Sequence, residues 1–217
     1  GKINIALIYY PYASNLDEFD PLLYQDDVNL VPVHQNVDLI GFDAVILPGS
    51  KNSGVSLEFL IESGLDKQIR KFKKSGKLIL GVCGGLQILG RQISDPLKIE
   101  DGDKTALNLI ELQTEISSCK STRQTSINWL DDTIKGYEIH HGKTQASQSV
   151  LPFMQSGLGW QQDNIYTTYL HGVFENKTFY NWFMRQVGGL ENGIDWGRHI
   201  DVELDRLAEV FAEHGWL

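Results

Sequence analysis

The residues best placed for chemistry in this sequence gather around one thiol. Gly81-Val82-Cys83-Gly84-Gly85 sets a glycine two positions before and two after a cysteine, which is the nucleophile-elbow pattern with cysteine in place of serine. A nucleophile in such an elbow is held in a strained conformation between a strand and a helix, where side chains at the neighbouring positions would strike adjacent elements. Glycine removes that collision. Unsatisfied N–H groups at the start of the helix favour the thiolate, the reactive form of a thiol. The alternative is a buried structural cysteine in a glycine-rich turn, and a partner base separates the two.

A cysteine nucleophile needs a histidine to take its proton and return it to a leaving group. Of the six histidines, His199 and His214 lie in or beside a terminal amphipathic segment and His34 in a loop, where solvated roles are expected. His140 and His141 belong to a strand-like segment dense in polar residues. His171 follows the apolar run Ile165-Tyr166-Thr167-Thr168-Tyr169-Leu170 and precedes a glycine, so it is expected at a strand end; a satisfied core histidine is the alternative. The order nucleophile then histidine also fits elbow enzymes. Acyl transfer further requires donors aimed at the oxyanion of a tetrahedral intermediate. The N–H of Gly84 is the usual first donor, and Pro48-Gly49-Ser50 is the candidate for the second because glycine lets backbone approach closely.

Parallel strands must position these groups. Apolar runs at residues 3–10, 30–33, 42–47 and 78–82 read as buried strands, the first as a central one and the second, with Pro32, as an edge strand. Ser14 or Asn15 is a candidate N-cap for a short helix, and residues 57–74 carry apolar positions at helical spacing. Alternation of this kind implies an α/β fold, a doubly wound, mostly parallel sheet with flanking helices. In such sheets ligands sit outside the carboxyl ends of the strands, so Pro11-Tyr12, Pro48-Gly49-Ser50 and Gly81-Val82-Cys83 are expected to line one crevice. Residues 108–116 and 136–144 look like sheet, residues 165–174 like a further strand, and residues 178–187 and 202–214 are helical in pattern. One domain spanning residues 1–217 is expected.

The totals narrow the function. With 41% hydrophobic and 22% charged residues the chain is expected to fold as a globular protein. A net charge of -9 argues against nucleic acid or an anionic membrane as partner. No apolar run approaches the about 20 residues that span a bilayer. Two cysteines make no disulfide framework and no secretory signal is visible, so a reducing cytoplasm is expected. The first residue is Gly1 and not methionine, from which a processed chain or an excised domain is expected.

Gly81-x-Cys83-x-Gly85-x-Gln87, with Pro48-Gly49 upstream and a late histidine, resembles the class I, triad-type glutamine amidotransferase domain. Closer still, five segments in register are similar to the cobyric acid synthase family. They are Ser14-Asn15-Leu16-Asp17-Glu18-Phe19-Asp20-Pro21-Leu22, Leu47-Pro48-Gly49-Ser50-Lys51-Asn52, residues 81–90, Gly136-Tyr137-Glu138-Ile139-His140 and Tyr169-Leu170-His171-Gly172-Val173-Phe174. The resemblance implies a glutaminase: Cys83 attacks the side-chain amide of L-glutamine, His171 protonates the departing ammonia, and water hydrolyses the thioester. It implies that Gly84 and the Gly49-Ser50 backbone hold the oxyanion, that Gln87 shapes the glutamine pocket, and that no residue binds metal. Ammonia then passes to an ATP- and magnesium-dependent synthetase that amidates corrin carboxylates in cobalamin biosynthesis.

Two departures stand out. Many class I amidotransferases carry a glutamate two residues after the histidine, but that position is Val173 here; a backbone carbonyl, Glu138 or Glu175 is then left to orient His171. No Gly-x-x-x-x-Gly-Lys-Ser/Thr phosphate loop occurs, so ATP and magnesium are expected only in a synthetase domain or subunit outside this chain. The competing readings are a glutaminase serving another amidoligase, such as one acting on a cell-wall precursor, a catalytically silent scaffold of the same fold, and a cysteine peptidase or esterase.

Overall fold

The computed structural model describes residues 1–214. Strands β1 (Ile3–Ile8), β2 (Val28–Val33), β3 (Ala44–Leu47) and β4 (Leu78–Val82) form from the four apolar runs, and every residue of β3 and β4 is buried. Strands apolar on both faces suit a parallel sheet covered on both sides. Helices α1 (Ser53–Ser63) and α2 (Leu65–Lys73) follow β3, and the short α3 (Gly84–Leu89) follows β4. The single helix expected over residues 57–74 is thus two. Gly64 adopts φ 77° and its N–H closes the end of α1 on Ile61 O at 3.1 Å, so the axis breaks there.

The second half supplies β5 (Leu112–Trp129) and β6 (Asp132–Ala146), then β7 (Leu151–Met154), β8 (Gly159–Gln162), β9 (Ile165–Thr168), α4 (Lys177–Val187) and α5 (Trp196–Glu213). The main sheet has the order β7-β8-β9-β4-β3-β1-β2. It is parallel from β9 to β2, with β7 and β8 antiparallel at one side. The sheet is therefore the mostly parallel, helix-flanked α/β arrangement that the strand and helix alternation implies. β2 is an edge strand, as Pro32 suggests. β1 lies one place in from that edge and is not central; the middle strand is β4, which carries Cys83 at its end.

The sheet-like segments at 108–116, from Leu112 onward, and 136–144 are parts of one long hairpin, β5–β6, paired from Trp129↔Asp132 to Leu112↔Ala146 and joined to short strands Gln92–Ser94 and Lys104–Thr105 in a second sheet; residues 108–111 precede it without strand structure. The strand expected over 165–174 stops at Thr168, because Thr168 Oγ1 accepts the N–H of Leu170 at 2.9 Å and turns the chain. His171 then meets Tyr137 of β6 in an isolated antiparallel bridge.

Packing ties distant segments together at this point. Phe19, in a 3-10 turn after the first strand, packs on Phe174 with ring centroids 5.8 Å apart, and Phe174 meets Phe179 and Phe183 of α4 at 5.2 and 5.0 Å. All four rings are buried, each contributing on the order of 1.5–3 kcal/mol by leaving water. The neighbours of Phe19 and Phe174 in sequence are consequently held close, and those neighbours include Glu18 and His171.

Candidate active site

Cys83 sits between β4 and α3 with φ 49° and ψ −103°, a conformation that costs a non-glycine residue roughly 1–3 kcal/mol. Its N–H donates to Thr168 O at 2.7 Å, and its Sγ donates to Ile139 O of the β5–β6 hairpin at 3.8 Å. The glycines do what the elbow requires. A Cβ on Gly85 would lie 2.1 Å from Leu47 O at the end of β3, and one on Gly84 would lie 2.6 Å from Ser50 N. Helix and strand approach each other at backbone contact, which brings the start of α3 against the Gly49-Ser50 segment.

His171 is fully buried beside this turn. Nδ1 faces Glu18 Oε1 at 2.8 Å, and the other carboxylate oxygen of Glu18 accepts the N–H of Gly172 at 2.9 Å. Tyr137 stacks on the imidazole at 5.1 Å with planes 13° apart. Nε2 has no partner in hydrogen-bonding geometry; contacts of this kind are often slack in a free site and tighten with ligand. Burial disfavours the imidazolium, but interactions with Cys83 and Glu18 outweigh it and raise the pKa of His171 to about 10. Cys83, His171 and Glu18 therefore form a thiol, base and carboxylate in line.

Glu18 corrects the expectation about the orienting group. Glu138 is occupied by Arg123 Nε at 2.7 Å and Thr125 Oγ1 at 2.7 Å, and Glu175 packs at Gly172; neither hydrogen-bonds His171. The carboxylate comes from 153 positions upstream, inside the Ser14-to-Leu22 segment, and no spacing rule in the sequence points to it. Asn15 stands at the N-cap position of the 3-10 turn but makes no side-chain cap; its amide nitrogen instead lies 3.4 Å from His171 Nδ1.

A cavity of about 350 Å³ opens over the thiol, within the range of small-ligand sites. Ser50, Cys83, Gln87 and His171 line it, joined by Glu100 and Lys120, which were not anticipated. Pro11 and Tyr12 are not among its lining residues; Ser14 and Asn15 take that side. Gln87 is buried, its Oε1 accepting from Ser53 Oγ at 2.5 Å and its Nε2 directed at Tyr169 Oη at 3.5 Å. Tyr169 passes the chain of bonds on to Thr144 at 2.7 Å, which meets Thr114 at 2.7 Å. Glu100 accepts from Ser53 N at the start of α1 at 3.0 Å. The six residues singled out by sequence, Gly49, Ser50, Cys83, Gly84, Gln87 and His171, thus converge on one place. A larger, open depression of about 630 Å³ lies at the amino ends of the strands, beside Asp43, Leu78 and Asn164, and neither a cysteine nor a histidine lines it.

A parallel α/β sheet with this elbow on its middle strand has the architecture of the class I glutamine amidotransferases. A solved glutamine amidotransferase superposes with a TM-score of 0.69 over 85% of this chain and 98% of its own, at 16% identity. The PurLQS structure from Thermotoga maritima superposes with a TM-score of 0.59 over 94% of this chain and 100% of its own, also at 16% identity. The chain belongs to the CobB/CobQ-like glutamine amidotransferase domain family, whose profile matches residues 4–179. It is similar to proteins named cobyric acid synthase: 34% identical over 230 residues to that of Chlorobium phaeobacteroides strain BS1, and 38% over 232 residues to that of Synechococcus sp. strain JA-2-3B'a(2-13). In both comparisons 99% of this chain is covered and 46% of the relative. The chain spans about half the length of the curated relatives it matches. Among the described residues no helix is long and apolar enough to cross a membrane.

Proposed function

We propose that this amidotransferase domain hydrolyses L-glutamine through a thioester on Cys83 and supplies the ammonia to a synthetase region that amidates corrin carboxylates. The observation that carries the reading is the buried line Cys83, His171 and Glu18 beneath a cavity sized for an amino acid. His171 Nε2 takes the Cys83 proton, and Sγ attacks the amide carbon of the glutamine side chain, forming a C–S bond as the C=O pair moves onto oxygen. His171, held protonated at working pH by its raised pKa, gives its Nε2 proton to the amide nitrogen, the C–N bond breaks, and ammonia leaves. A water then adds to the thioester, passing a proton to His171, and glutamate departs as Sγ is released. Glu18 keeps the imidazole in the tautomer and orientation both steps need.

In this reading the N–H groups of Gly84 and Ser50 hold the oxyanion of each tetrahedral intermediate; the close approach of the two backbones, Ser50 N lying 2.6 Å from where a Cβ on Gly84 would be, supports it. Gln87, fixed by Ser53, forms part of the pocket wall. The relatives' name supports corrin as the destination of the ammonia, and the half of their length that this chain lacks is the expected seat of the ATP- and magnesium-dependent step.

The test is glutamate release from L-glutamine beside Cys83→Ala, with intact mass after treatment with the glutamine mimic diazo-oxo-norleucine. One adduct on Cys83 and loss of release in the variant are expected. Release that survives Cys83→Ala would remove the thioester from the mechanism.

A further inference from the structure

Tyr10, the residue that leaves β1, is buried completely and its phenol donates to the carbonyl of Pro48. That carbonyl accepts a second bond from Gly85 N at 3.0 Å. One oxygen therefore joins the end of β1, the end of β3 and the first turn of α3. The next two residues are Gly49, paired with Ser14 on its other flank, and Ser50, whose N lies 2.6 Å from the place a Cβ on Gly84 would take. A planar trans peptide held at its carbonyl fixes the direction in which the following chain leaves. The position of Ser50 N relative to Gly84 N is thereby set by what holds Pro48 O.

We propose that Tyr10 is a positioning residue for the oxyanion donors, its phenol fixing the Pro48 carbonyl so that the N–H groups of Ser50 and Gly84 point at one place. The inference rests on the glutaminase reading above and goes beyond it in naming what aligns the donors. Tyr10 does not line the cavity. Its hydroxyl stays a donor throughout the working range of pH, because burial and then the charges of Cys83 and Glu18 hold its pKa well above the ordinary value. Gly85 alone would still tether Pro48 O without it, but by a single bond, around which the peptide is free to swing. Donors worth roughly 10²–10³-fold in turnover when well aimed lose part of that when displaced by a fraction of an ångström.

The test compares two reactions of one thiol. Thioester chemistry develops an oxyanion, whereas alkylation of Cys83 by iodoacetamide is a displacement at a methylene carbon and develops none. Tyr10→Phe keeps the ring and removes only the donor. Expected are a roughly 10- to 100-fold fall in kcat for glutamate release, a KM for glutamine within about twofold of wild type, and an alkylation rate also within about twofold. Tyr10→3-fluorotyrosine, which retains the hydroxyl, is expected to restore kcat.

An unchanged kcat in Tyr10→Phe overturns the proposal. So does a parallel fall of kcat and alkylation, which places the effect on the thiol itself. Loss of the folded circular dichroism signal in Tyr10→Phe overturns it in favour of a purely structural bond. Wild type that alkylates at Cys83 yet shows no Cys83-dependent glutamate release would instead defeat the glutaminase reading, and this inference with it.

Discussion

Glu18 has a place in this site that glutamine could not fill. Its two oxygens accept from two donors, His171 Nδ1 and Gly172 N. An amide offers one acceptor oxygen, so in Glu18→Gln its NH2 group must face one of those N–H groups in a buried position, where an unmade bond costs about 1–3 kcal/mol. The imidazole would also lose the charge that helps to hold its proton. We predict a fall in kcat for glutamate release of roughly 10²–10⁴-fold, with the midpoint of the His171 titration, followed by NMR, moving to lower pH. Stability follows the same linkage. His171 binds its proton more tightly in the folded state, with a pKa near 10 against 6.5 unfolded. Its stabilising contribution is therefore complete below about pH 6.5 and is lost as pH rises through about 10. Urea midpoints of wild type should decline across that window, and those of His171→Gln should not share this decline; parallel curves would contradict it.

At the scale of elements, the elbow depends on how closely α3 lies on β3 and β4. Gly85→Ala would drive a methyl to 2.1 Å from Leu47 O, and backbone cannot move aside as the end of a flexible side chain can. We expect a loss of about 3 kcal/mol or more, read as a lower urea midpoint with an unchanged slope; a variant as stable as wild type would mean that the helix is free to shift. This part of the fold was legible because its cause is local: continuous apolar runs make buried strands, and glycines mark where backbones meet. The hairpin β5–β6 was legible only in fragments. Its outer stretch is exposed, with residues 118–124 unburied, so no alternation of apolar and polar residues marks the full length of β5. Its register also shifts beside His141, between His140 and Gly142. Gly64 was missed as a break because apolar positions at helical spacing continue on both sides of it. Glu18 was beyond reach for a different reason: the bond joins residues 153 positions apart, brought together by tertiary packing such as that of Phe19 on Phe174.

Across the whole molecule, the cavity is assembled from segments that do not belong to one rigid element. Ser14 and Asn15, Ser50 and Lys51, Ile99 and Glu100, and Lys120 with residues 139–141 each contribute a part of its wall. The outermost of these are held least, Ile99 being 37% exposed and Lys120 exposed at the rim. At the centre, His171 Nε2 lies near Cys83 without closing a hydrogen bond. A site whose wall is discontinuous and whose thiol and base are slightly slack gains most from a partner that presses on the rim, because small shifts of several segments sum at the reacting atoms. Under the proposed glutaminase reading coupling also has a chemical purpose, since ammonia released before an acceptor is ready is lost to solvent. We therefore predict that this chain alone hydrolyses glutamine slowly, and that addition of the synthetase region raises its kcat, by up to roughly 10²-fold if the gain is alignment of the reacting atoms. For binding, synthetase should also increase the affinity for a non-hydrolysable glutamine analogue, and by linkage the analogue should increase the affinity for synthetase by the same factor, both measured with Cys83→Ala by calorimetry. Equal rates and equal affinities with and without the synthetase would show that the site is already complete in this chain.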